Sequence, residues 1–73
     1  MTASLEIRSP ITGSVFRIHA SVGDAVGAEG IVAIIESMKL EIEVESEVEG
    51  TIVAVLVAEG DAIAEGDVMF RVD

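Results

Sequence analysis

Residues 40–45 read Leu-Glu-Ile-Glu-Val-Glu, apolar at every even position and charged at every odd one. Successive side chains of a strand point to opposite faces, so this alternation describes a strand with one face in a core and the other in water. Shorter runs of the same kind predict strands over Leu5–Arg8, Ser14–Ala20, Ile31–Glu36, Thr51–Val57 and Val68–Val72, separated by glycine-containing turns. No window of helical length has a 3.6-residue apolar period, so the chain is expected to be all-β.

The pattern also repeats. Sliding the chain by 37 positions lays residues 5–25 over 42–62, matching Glu6 with Glu43, Ser9 with Ser46, Gly13 with Gly50 and Gly23-Asp24-Ala25 with Gly60-Asp61-Ala62. Beyond that point "AEGIV" (28–32) matches "AEGDV" (64–68) only if Gly27 is a one-residue insertion in the first copy. Neither β unit can bury a face alone. Two of them, 5–36 and 42–73, predict a flattened barrel or two-layer sandwich with pseudo-two-fold symmetry. The repeat sets Glu36 against Asp73, so the first copy runs on into a lysine-bearing turn where the second ends.

With 73 residues, this is expected to be one domain, able to bury only about 60% of its unfolded surface. Two Phe and no Trp or Tyr leave the core to Val, Ile, Leu and Ala. Without cysteine there is no disulfide and no thiolate metal site. A net charge of −10 with four Lys and Arg speaks against nucleic acid as a partner. The longest apolar run, 52–58, is far below the ~20 residues of a membrane-spanning helix, and the N-terminus shows no signal or transit pattern. The expectation is a cytoplasmic protein, monomeric as an isolated domain, that does not engage membranes.

Catalytic and metal-binding readings find little support. His19 shares the strand face of Val15 and Arg17 in a strict alternation and reads as a solvated histidine. The carboxylates alternate along strands with no calcium-loop spacing, as solvated faces do. "VGDAV" (22–26) and "EGDAI" (59–63) lack the further Gly or Lys that would cradle a phosphate. They read as turns in which glycine supplies positive φ and Asp24 and Asp61 bond nearby amides. Pro10 reads as an edge or corner.

Lys39 is harder to dismiss. It lies in "ESMKL" (36–40), between Met38 and Leu40, with Glu36, Glu41, Glu43 and Glu45 around it. If 31–36 and 40–45 are strands, the link is a tight hairpin whose tip projects into solvent. Such turns favour Asn-Gly or Asp-Gly because both central residues need φ > 0. Placing Met38 and Lys39 there costs about 1–2 kcal/mol per residue, so side-chain identity is expected to outweigh backbone comfort. The residues alone leave two readings open: a lysine kept for solubility with Met38 folded onto the core, or a lysine presented for modification. A lysine amine is protonated at neutral pH, so acylating it needs an enzyme that activates the acyl group and removes the proton.

These segments resemble the biotinyl and lipoyl carrier domains, most closely the biotin carboxyl carrier group. "ESMKL" is similar to the Glu-Ala-Met-Lys-Met biotinylation motif, "SPITG" (9–13) to the Ala-Pro-x-x-Gly segment, and residues 50–72 to the C-terminal half, so the likeness covers essentially the whole chain. It implies a barrel-sandwich hybrid of two four-stranded antiparallel sheets, with biotin attached covalently to Lys39 at a hairpin tip. Met38 and Leu40 would help a biotin protein ligase choose that lysine, with Glu36 and Ser37 as hairpin context. The implied role is a non-catalytic swinging-arm carrier that takes a carboxyl group from a biotin carboxylase to a carboxyltransferase, as in acetyl-CoA carboxylase.

The departures are Ser37 for the usual Ala, Leu40 for the second Met, Gly30 one residue later than the usual turn glycine, and no "thumb" insertion between Gly23 and Glu36. Lipoyl domains carry Asp before the lysine and Ala after it, so Met38 and Leu40 favour biotin over a lipoyl carrier of a 2-oxoacid dehydrogenase complex. A third reading is an unmodified β-sandwich that only binds partners.

Overall fold

The computed structural model describes residues 5–27 and 30–73. It contains eight strands: β1 (Leu5–Arg8), β2 (Gly13–Ile18), β3 (Ala25–Val26), β4 (Ile31–Ser37), β5 (Leu40–Glu45), β6 (Gly50–Val55), β7 (Ala62–Ile63) and β8 (Val68–Val72). They form two four-stranded antiparallel sheets, ordered β1-β8-β6-β3 and β5-β4-β2-β7. β3 and β7, two residues each, lie at the ends of segments (22–26 and 59–63) that the sequence presents as turns. Their pairing with β6 and β2 extends each sheet by one short edge strand. Pro10 lies where the chain leaves one sheet for the other.

The registers repeat at an offset of 37. Ile42 pairs with Ile35 as Leu5 pairs with Val72, and Gly13 with Ile63 as Gly50 with Val26. The offset holds through the segment where a slip at Gly27 was expected. Gly30 N donates to Gly27 O and Asp67 N to Ala64 O, both at 3.0 Å, and β4 and β8 start at Ile31 and Val68. The Ala-Glu-Gly likeness that suggested the slip is therefore a coincidence of composition; Ala28 and Glu29, on which it also rested, lie outside the described residues.

The two layers enclose one apolar core, in which Ile35, Ile52, Phe70, Met69, Val15, Val32 and Val72 are the largest fully buried apolar side chains. Among the described residues, strict alternation fails at four β-bulges, each adding one residue to one strand of a pair. Phe16 is the extra residue of β2 against β4, and Val53 of β6 against β8. Val32 is extra in β4 against β5, and Met69 in β8 against β1. This corrects the placing of His19 on the face of Val15: past the bulge at Phe16 the parity changes, so Val15 is buried while Arg17 and His19 are exposed. It also lets the neighbours Val32 and Ala33, and Met69 and Phe70, all face inward.

The Gly-Asp turns match their sequence reading. Gly23 and Gly60 have φ of 96° and 95°, and the Oδ2 atoms of Asp24 and Asp61 accept from the amides of Ser21 and Ala58 at 2.8 and 2.9 Å. Asp67 does the same for Ala64 at 2.9 Å, a third such turn that the sequence reading did not single out. Among the described residues no helix is long and apolar enough to cross a membrane.

Candidate functional site

β4 and β5 are paired down to Ser37 and Leu40, leaving Met38 and Lys39 as a two-residue link. Their φ values are 52° and 68°. Both central residues are thus left-handed, as a tight hairpin between twisted strands requires, although neither is a type that adopts this conformation cheaply. The expectation of a strained tip is met.

The tip does not turn back on the core. Met38 is 93% exposed and Leu40 64%, which removes the reading in which Met38 packs inward. Lys39 is exposed between them. Of the two apolar side chains that flank the amine, Met38 contributes almost nothing to packing and Leu40 is still mostly in water.

Glu36 and Glu41 face each other one pair below Ser37 and Leu40, and Ser14 of β2 continues the row on the other side of Glu36. Like charges directly opposed on a strand pair destabilise it slightly. The acids do not close on the lysine: among the described residues the ion pair is Arg8 with Glu6, and no carboxylate lies within 4.0 Å of Lys39. The reason is geometric, since the carboxylates belong to paired strand positions and Lys39 stands beyond the last pair. The amine has no hydrogen-bond partner among the described residues and no neighbouring general base.

No group of three or more His, Cys, Asp or Glu among the described residues could hold a metal ion. A groove of about 490 Å³ runs between β1 and β5, with Glu6, Arg8, Glu43 and Glu45 on its walls, and does not include Lys39. The candidate site is a projection and not a cleft. Its chemistry is that of one accessible primary amine on a rigid support, which suits covalent attachment of a carboxylic acid through an amide. Gly13, which lies against the hairpin's base, was marked in the sequence by its place in the repeat and in the "SPITG" segment, but neither pointed to a contact with Glu36.

The profile of the family described as "Biotin-requiring enzyme" matches residues 5–72. The chain belongs to this family. Among its relatives within and around the biotin-requiring enzymes, the biotin carboxyl carrier protein of acetyl-CoA carboxylase from Porphyra purpurea is 38% identical over 74 residues, an alignment covering 92% of this chain and 47% of that protein. The chain thus spans about half the length of that relative. The biotinylated protein TB7.3 homolog of Mycobacterium leprae is 38% identical over 64 residues, covering 88% of this chain and 90% of that one. Among solved structures, the urea carboxylase of Kluyveromyces lactis superposes with a TM-score of 0.90 at 32% identity, over 100% of this chain and 6% of the carboxylase. The matched region is thus a small part of that carboxylase.

Proposed function

We propose that this domain is a biotin carboxyl carrier, with biotin joined to Lys39 Nζ through an amide. The observation that carries the reading is the hairpin tip, where an exposed amine in left-handed backbone stands between two exposed apolar side chains, Met38 and Leu40. Family membership and relatives named for biotin and its carriers support it.

Among the described residues no base stands beside the lysine, so a biotin protein ligase must supply an activated acyl group and accept the proton. Lys39 Nζ attacks the acyl carbon of biotinyl-AMP, the N–C bond forms, the acyl–phosphate bond breaks, AMP leaves, and the ammonium charge is lost. Met38 and Leu40 give the ligase apolar contacts flanking the one lysine of the chain. Attached biotin supplies a ureido nitrogen able to carry a carboxyl group. The chain's own part is presentation: the sandwich holds the tether's origin fixed, and the tether keeps the group at high effective concentration. The partners of this reading are a biotin carboxylase and a carboxyltransferase, and the chain itself is a carrier and not a catalyst.

The isolated domain is read as a cytoplasmic monomer. Of the four edge strands, β3 and β7 are only two residues long. The longer two carry charge, Glu41, Glu43 and Glu45 on β5 and Glu6 and Arg8 on β1, which opposes strand pairing between copies.

Intact mass decides the matter. Incubation with ATP, biotin and a biotin protein ligase should add one biotin, located by peptide mapping at Lys39, while a lipoate ligase with lipoate adds nothing. Label on the N-terminal amine, or lipoylation in place of biotinylation, would overturn the reading.

A further inference from the structure

Gly13 of β2 lies against the last body-bound residue of the hairpin. A Cβ added there would sit 2.3 Å from the carbonyl oxygen of Glu36, 3.0 Å from Ile35 Cγ2 and 3.2 Å from the Glu36 carbonyl carbon. The nearest atom is backbone, so no rotamer change relieves the clash. Gly13 is not among the residues with positive φ. Space alone, and not backbone conformation, requires the glycine.

The pairing of β2 with β4 ends at Ser14 and Glu36. Among the described residues, Ser37 to Leu40 have no strand pairing beyond that of Ser37 with Leu40 in their own hairpin. Where β4 leaves the body, the Glu36 carbonyl rests on the bare face of Gly13, and the position of that carbonyl sets the direction in which the next three residues carry Lys39. We infer that Gly13 is a positioning residue for Lys39: its missing side chain lets β4 settle onto β2 and fixes the place and orientation at which the amine is presented. This rests on the reading of Lys39 as the residue modified.

The repeat supplies a matched control. Gly50, 37 residues on, would place a Cβ 2.7 Å from the carbonyl oxygen of Asp73 and 2.7 Å from Val72 Cγ1, and it has φ of 155°. Gly50→Ala thus combines a similar clash with a backbone penalty, but in the other sheet, away from the β4–β5 hairpin.

The test compares biotin transfer to the wild-type protein, Gly13→Ala and Gly50→Ala by a biotin protein ligase, at a temperature where circular dichroism shows all three folded. For Gly13→Ala, kcat should fall by about tenfold or more, with KM for the domain within about threefold, because the tip is still recognised but the amine is misplaced. Gly50→Ala should stay within about twofold of wild type in both. Equal losses in the two variants, or a wild-type rate for Gly13→Ala, would overturn the inference. An unlabelled wild-type protein would instead overturn the proposed function. Should Gly13→Ala not fold, ¹⁵N relaxation of the wild-type protein decides. Order parameters of about 0.85 over Ser37–Leu40 support a fixed tip, and values below about 0.6 exclude one.

Discussion

Ser9 and Ser46, 37 residues apart, are both buried, and each donates its hydroxyl to the carbonyl two residues on, Ile11 and Val48, at 2.6 Å. Each Oγ also lies near the amide of that same residue, at 3.5 and 3.3 Å. Two polar side chains in a small apolar core are thereby satisfied by the same local loop, used once per copy. Their amides follow suit: Ser9 N donates to Asp67 O at 2.9 Å and Ser46 N to Gly30 O at 2.8 Å.

Replacing either serine by alanine leaves a part-buried carbonyl without its partner. We expect Ser9→Ala and Ser46→Ala each to cost about 1–3 kcal/mol, and by similar amounts. Urea unfolding measures both; a loss in one alone would show that the two loops are energetically unlike despite their shared geometry.

Lys39→Arg keeps the charge and length of an exposed side chain that makes no contact the fold needs. Stability should change by no more than about 0.5 kcal/mol, while biotin labelling disappears completely. Residual streptavidin signal in this variant would place the attachment elsewhere.

Met38 is strained and, at 93% exposure, contributes no packing. Met38→Asn puts a residue suited to φ > 0 at the first turn position, so thermal or urea unfolding should report a gain of about 0.5–1 kcal/mol. Labelling should slow in the same variant if the apolar side chain serves the ligase. A variant both more stable and labelled at full rate would mean that Met38 has no part in recognition.

The bulge at Met69 makes a sharper prediction than core burial in general. Met69 and Phe70 are adjacent in a strand, yet both are fully buried. Met69→Ala should cost about 2–5 kcal/mol and Phe70→Ala about 3–5. Without the bulge one of the pair would face water, and its truncation would be nearly silent in equilibrium unfolding.

Much of this was legible beforehand because it rests on local chemistry. Alternation over Leu40–Glu45 described β5 to the residue. Gly23, Asp24, Gly60 and Asp61 announced turns because glycine and aspartate do there what few other residues can. At the hairpin, two strands converging on a link without turn residues already implied that Met38 and Lys39 would be forced to positive φ. The resemblance to biotinyl domains then attached a chemistry to Lys39 that the residues alone left open.

What escaped the sequence depends on contacts between segments far apart in the chain. β3 and β7 are two residues long and become strands only because β6 and β2 lie beside them. The bulges at Phe16, Val32, Val53 and Met69 arise where a twisted sheet must fold over its partner, and an alternation count assumes that no residue is ever extra. The apparent slip at Gly27 was a likeness of composition that the strand registers overruled.

The sequence by itself determined the all-β class, the repeated turns and the exposed amine between two apolar neighbours, since each depends on residue types a few positions apart. Only the tertiary structure decided that the acids around Lys39 leave it unpaired, and that Gly13 supports the hairpin from 23 positions before Glu36. Both are distances across separate strands, and no local pattern encodes where another strand will lie.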